Sequence, residues 1–147
     1  MTTAEERTTV RVSYRFNVPP RQVFEAWLDG ARIKEWLPNR AEGEELAHAE
    51  MTPKVGRPFL FGLRSASGAA RTVQGEFLEI IAPRRLVFTW MVPSVSKETT
   101  RVTVDLHPSW SQTDVSVKHE RVLPEECERT TAHWTALLER MAASLGR

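Results

Sequence analysis

Hydrophobic and polar residues alternate from the start of the chain. Val10, Val12, Tyr14, Phe16 and Val18 share one parity, with Arg11, Ser13, Arg15 and Asn17 between them. A period of two predicts a half-buried strand over residues 9–18. Pro19 and Pro20 end it, and a proline suits the first turn of a helix, where its missing N–H has no intrahelical partner anyway. Val23, Phe24 and Trp27 then follow helical spacing, Gly30 interrupts, and Ile33, Trp36 and Leu37 continue before Pro38. Two short helices, 20–28 and 31–37, are the predicted result. Their apolar residues either plug a core or roof a pocket.

Alternation returns further on. Residues 44–51 are a weakly hydrophobic strand candidate, and Phe59, Phe61 and Leu63 predict a strand over about 57–64. The segment SASGAA reads as a hairpin tip, and Val73, Gly75, Phe77, Glu79 and Ile81 share the parity of the next strand. The run LVFTWMV is apolar on both parities. Val102, Val104 and Leu106 predict another strand, HPSWSQ a turn that exposes Trp110, and Val115 and Val117 the last strand. From Pro124 the period changes. Cys127, Thr131, Trp134, Leu138, Met141 and Leu145 recur at steps of three and four, with Leu137 widening the stripe. Glu125, Glu126 and Glu128 crowd the first turn, where the helix dipole favours negative charge. This helix of about twenty residues is roughly 30 Å long.

The order is strand, two short helices, about six strands, long helix. It lacks the alternation of a parallel sheet, so the expected fold is α+β with an antiparallel sheet. One long helix must cover the sheet's apolar face, which predicts a sheet curled around it. The expected organisation is a single domain over residues 8–146 after a flexible segment, 1–7.

Composition narrows the function classes. Twenty basic residues face nineteen acidic ones, a net charge of +1, so no long-range field draws nucleic acid or an anionic membrane. Sixteen of the twenty basic residues are arginine, read here as a bias of a GC-rich bacterial genome. One cysteine, Cys127, forbids an intramolecular disulfide and agrees with a reducing cytoplasm. No secretory signal and no membrane-length apolar run is visible. The expectation is a cytoplasmic protein without nucleic-acid partners or membrane insertion.

Metal and catalytic motifs are not found. Cys127 and His133 lie about 240° apart around one helix, and His107 and His119 are separated along one hairpin by roughly 20 Å. No phosphate loop, nucleophile elbow or dinucleotide fingerprint occurs. No metal, cofactor or catalytic residue is therefore expected. Cys127 falls on the apolar stripe and reads as a small buried residue, and Arg84-Arg85 as a solvated turn. The aromatic residues are the richer signal. Trp27, Trp36, Trp90 and Trp134 lie in segments facing the interior, where they serve as core or as walls of an apolar pocket.

Three phrases come in a fixed order: VFEAWLDGARIKEWLPN, GEFLEIIAPRRLVFTW, and TRVTVDLHP followed by the segment TDVSVKHERVLPEECERTTAHWTALLERMAASL. Together they resemble the START-like (SRPBCC) superfamily, in the branch similar to the C-terminal domain of the activator of the heat-shock-protein-90 ATPase. The resemblance covers about residues 8–145. It implies a helix-grip fold, a curved antiparallel sheet of six or seven strands gripping the C-terminal helix, often around a hydrophobic cavity closed at one end by two short helices. It also implies a possible chaperone partner, although a chain of this length is too short for the second domain that the eukaryotic activator uses.

The leading expectation is binding of a small apolar or aromatic molecule without intrinsic catalysis. The apolar lining candidates are Phe24, Trp27, Trp36, Phe59, Phe61, Phe77, Trp90, Trp134, Leu138 and Met141. Arg64 and His119 are the candidates for orienting a ligand, with His107 a further polar possibility. A protein-interaction module and a cyclase or dehydratase using the same cavity are the alternatives. A monomer and a homodimer paired through strand 9–18 both stay open.

Overall fold

A computed structural model describes residues 7–146. The segment 1–6, part of the expected flexible segment, lies outside the described residues. Arg7 is held by a two-toothed pair with Glu98 at 2.7 Å. The strands are β1 (Thr8–Phe16), β2 (Glu45–Met51), β3 (Pro58–Arg64), β4 (Ala70–Ile81), β5 (Arg85–Trp90), β6 (Thr100–Ser109) and β7 (Gln112–Val122). The helices are α1 (Pro20–Leu28), α2 (Gly30–Trp36) and α3 (Cys127–Ser144), with short 3-10 turns at Arg40–Glu42 and Pro124–Glu126. One antiparallel sheet runs in the order β1-β7-β6-β5-β4-β3-β2. The expected α+β helix-grip is the observed fold.

Alternation decides what each strand buries. In β3, Phe59, Phe61 and Leu63 turn inward, and in β7, Thr113, Val115, Val117 and His119 do. The curl has a local cause in β4. A Cβ on Gly75 would stand 1.9 Å from the Thr89 carbonyl oxygen, so only glycine lets β4 pass that close to β5. The register between these strands shifts between Phe77 and Glu79, and such a bulge increases bend and twist. The sheet thereby wraps α3, whose Trp134, Leu137, Leu138, Met141 and Ala142 are fully buried. Each such aliphatic side chain contributes about 1.5–3 kcal/mol on burial.

The pair α1–α2 closes one end of this grip. The Asp29 side chain caps α2 by accepting from the Ala31 N–H at 2.9 Å. Trp36 Nε1 donates to the Ala26 carbonyl at 3.0 Å, which ties the two helices together. Arg140 of α3 donates from Nε to the Trp36 carbonyl at 3.0 Å and from Nη2 to the Leu37 carbonyl at 3.4 Å. These are carbonyls at the C-terminal end of α2, where a cation is favoured.

Some boundaries differ from the sequence reading. The last strand reaches from Gln112 to Val122, well beyond its apolar centre, because pairing with both β1 and β6 carries the polar residues along. The long helix starts at Cys127, since Pro124–Glu126 form a separate tighter turn. Arg85 opens β5 and pairs with Asp105 at 2.8 Å instead of lying in a solvated turn. Cys127 is half-buried and contacts the Leu123 carbonyl.

Candidate functional site

The aromatic residues of the concave face divide into two groups. Under α1 and α2 they pack ring against ring. Trp27 lies 5.3 Å from Trp36 and 6.3 Å from Phe88, Phe59 lies 5.5 Å from Phe61 and 5.3 Å from Phe77. Phe24, Trp27, Trp36, Phe59, Phe61, Phe77, Trp134, Leu138 and Met141 are all buried in this continuous core. Beside α3, a groove of about 680 Å³ opens instead. Of the sequence-predicted lining residues, Trp90 and His119 are among those that line it. Trp90 joins the two regions through its ring contact with Trp134 at 5.1 Å.

The groove has three walls. One is the end of β5 and the loop after it, with Trp90, Met91, Val92 and Val95. The second is the end of β7, with His119, Arg121, Val122 and Leu123. The third is a flank of α3 with the end of the turn before it, where Glu126, Thr130, His133, Ala136 and Arg140 follow steps of four, three, three and four. That spacing places them on one helix face. Arg71 of β4 and Glu44, just before β2, complete it. Arg121 adopts φ 70, an uncommon conformation for a residue with a side chain, on the wall of this groove.

Glu44, buried, and Arg71, half-buried, form an ion pair on the groove wall. Arg71 donates from Nε to Glu44 Oε2 at 2.6 Å and from Nη2 to Oε1 at 2.9 Å. The Asn39 N–H donates to Oε1 at 2.9 Å. Burial alone would push the Glu44 carboxyl up, but the bonds from Arg71 and Asn39 and the charges of Arg71 and Arg140 outweigh it and hold the carboxyl low. Burial pulls the Arg140 guanidinium down, the Glu44 charge opposes this, and the charges of Arg71 and Arg40 lower it further.

His119 is fixed on both ring nitrogens. Trp134 Nε1 donates to His119 Nδ1 at 2.9 Å, and Thr100 Oγ1 donates to the Trp90 carbonyl at 2.9 Å. The 2.7 Å contact between Thr100 Oγ1 and His119 Nε2 is then an N–H donated by the histidine. This chain defines a neutral ring, and burial lowers its pKa to about 4. A ligand cannot use either nitrogen without displacing a protein bond. His133 lies against Trp90 at 6.0 Å and Trp134 at 5.1 Å. Its pKa is lowered to about 4, by burial first and then by the charges of Arg71 and Arg140.

This sheet-and-helix frame is shared. The family model described as activator of Hsp90 ATPase homolog 1-like protein matches residues 17–146. The chain belongs to this family. Among solved structures, protein CV1439 from Chromobacterium violaceum is 25% identical with a TM-score of 0.83, covering 92% of this chain and 94% of that one. The AHSA1 protein SPO3351 from Silicibacter pomeroyi is 21% identical with a TM-score of 0.79, over 95% and 98%. DynU16, a putative protein in the dynemicin biosynthetic locus, is 20% identical with a TM-score of 0.76, over 94% of this chain and 47% of that one. No curated protein matches the chain by sequence.

In this family member the other predicted polar residues lie elsewhere. Arg64 ends β3 on the parity opposite Phe59, Phe61 and Leu63 and is exposed, away from the groove. His107 is exposed on β6. Glu44, Arg71, His133 and Arg140 escaped the sequence reading as site residues. For Arg71 a signal existed: it shares the parity of Val73, Gly75 and Phe77, which makes it an arginine on an inward-facing register. For His133 and Arg140 the signal was a second stripe on α3, polar and small, beside the apolar one. Among the described residues, no helix is long and apolar enough to cross a membrane.

Proposed function

We propose that the protein binds a small apolar or aromatic molecule in the groove between α3 and the ends of β5 and β7, and binds it without transforming it. The observation that carries this reading is the groove itself: about 680 Å³ of open space beside a core in which Trp27, Trp36, Trp134 and the phenylalanines are close-packed. Its volume lies in the range of small-molecule sites, and its walls combine apolar side chains with a few fixed polar groups. Apolar burial against Trp90, Val92, Val122 and Leu123 would drive binding. A binding role without chemistry is supported by how His119 and Glu44 are used. Each is already engaged by protein donors or acceptors, so neither is a ready acid or base.

Native mass spectrometry of the purified protein, followed by denaturing extraction, tests this reading. A co-purified small molecule that is lost from Ala136→Trp, a variant that fills the groove, is the expected result. An adduct retained by that variant would place the ligand elsewhere. If the protein purifies empty, a panel of small aromatic molecules should raise the melting temperature of the wild type and not of the filled variant. Ligand at about a hundred times Kd stabilises by about 2.7 kcal/mol.

A further inference from the structure

We propose that the groove selects molecules whose apolar body carries a compact anion, a carboxylate or its equivalent, seated against Arg71 and Arg140. The inference rests on the groove being the binding site and names the chemistry it takes. Two arginines meet there over one carboxylate. Glu44 is saturated by Arg71 and by the Asn39 N–H. Arg140 has only the neutral carbonyls of Trp36 and Leu37 as acceptors, and among the described residues no carboxylate lies within ion-pair distance of it. The partly buried Arg140 feels Glu44 without an ion-pair contact and shares that carboxylate with Arg71, so its charge is under-compensated and a bound anion would reduce the cost.

Donor capacity points the same way. A guanidinium has five N–H donors. Arg71 and Arg140 each use Nε and Nη2, and the Nη1 group of neither has an acceptor among the described residues. His133, neutral beside them, adds no positive charge of its own but can donate a further hydrogen bond. The other acidic groups along the groove do not cancel this excess. Glu98 is paired with Arg7 and lies near Arg121, Glu126 faces Arg129 at 3.6 Å, and Glu42 is exposed to solvent. The remaining wall, Trp90, Val92, Val122 and Leu123, suits an apolar body.

Three probes with one body separate the possibilities: 2-naphthoic acid, 2-naphthalenemethanol and 2-naphthylmethylamine. Titration calorimetry against the full chain at pH 7 should rank acid above alcohol above amine, with the acid about tenfold tighter than the alcohol. Arg140→Met should reduce the acid's advantage to about twofold or less while the alcohol binds as before, which also reports that the variant is folded. If that variant does not fold, the wild type still decides, because 0.5 M salt should weaken the acid and spare the alcohol, to the order of magnitude expected for a screened charge. Equal affinity of acid and alcohol, a tighter amine, or an acid preference indifferent to salt overturns the head-group inference and leaves the groove reading standing. Failure of all three probes to bind overturns both.

Discussion

The closed end of the grip and the groove beside α3 are built from the same aromatic residue types and behave in opposite ways. At the closed end, rings pack on rings and aliphatic chains, and the Trp36 N–H is bonded to the Ala26 carbonyl. The Trp27 indole N–H is buried there without an acceptor. Such an orphan costs about 1–3 kcal/mol, so the packing around Trp27 is strong enough to hold it. Along the groove, the aromatic residues stand beside titratable and charged side chains. Trp134, buried behind the groove, donates to His119, Trp90 lies tilted against His133, and His133 lies near Arg71 and Arg140. Aromatic content alone therefore marks the interior of this fold. The groove opens where aromatic residues share a wall with charges that cannot be buried completely.

The sharpest break in that comparison is Trp134→Ala, because Trp134 belongs to both regions. It should cost about 4 kcal/mol, from the cavity left and from the donor removed from His119. Urea denaturation checks this, and a loss below 1 kcal/mol would mean that the two regions are not mechanically joined. Arg71→Met leaves Glu44 buried without its partner and should cost about 3 kcal/mol. The double variant Arg71→Met with Glu44→Gln should recover most of that loss, which a double-mutant cycle measures.

Acid should distinguish the regions next. The unfolded imidazole of His119 protonates near pH 6.5, while in the folded protein it stays neutral down to about pH 4. The unfolded state therefore binds the proton first, and stability from this group is complete above pH 6.5 and lost as pH falls to about 4. Between pH 6.5 and 4.5 the loss is about 2–3 kcal/mol. His119→Gln should remove about half of that slope, since His133, also lowered to about 4, titrates over the same window, whereas Trp27→Phe, at the closed end, should leave the slope unchanged. The smallest effect belongs to an aromatic residue in neither region. Trp110 is 99% exposed with φ 59, so Trp110→Asn should change the melting temperature by the equivalent of about 0.5 kcal/mol or less.

The fold was legible because its periods are clean. The even parity of β1 and the three-and-four spacing of α3 gave the sheet and its gripped helix, and Gly30 with the flanking prolines gave the two short helices. The groove was less legible. Hydrophobicity reports burial, so Phe59, Phe61, Phe77, Trp27 and Trp36 stood out as possible lining, while the structure packs them together. Glu44 and Arg71 lie 27 residues apart, and only the fold brings them together. Nothing in the helical spacing marks Arg140 as more than a cation toward the end of α3, and its bonds to α2 depend on how the two helices meet. Arg64 and Arg71 could have been separated by strand parity, since one faces outward and the other shares the inward register.

The most direct test uses the tryptophans themselves. In a two-dimensional nitrogen–proton NMR spectrum of labelled protein, each indole N–H gives its own signal. Addition of 2-naphthoic acid should move the Trp90 signal, with Trp134 beside it, and leave Trp27 and Trp36 in place. Movement of Trp27 and Trp36 with Trp90 unchanged would put the ligand in the closed end and contradict the groove as the binding site.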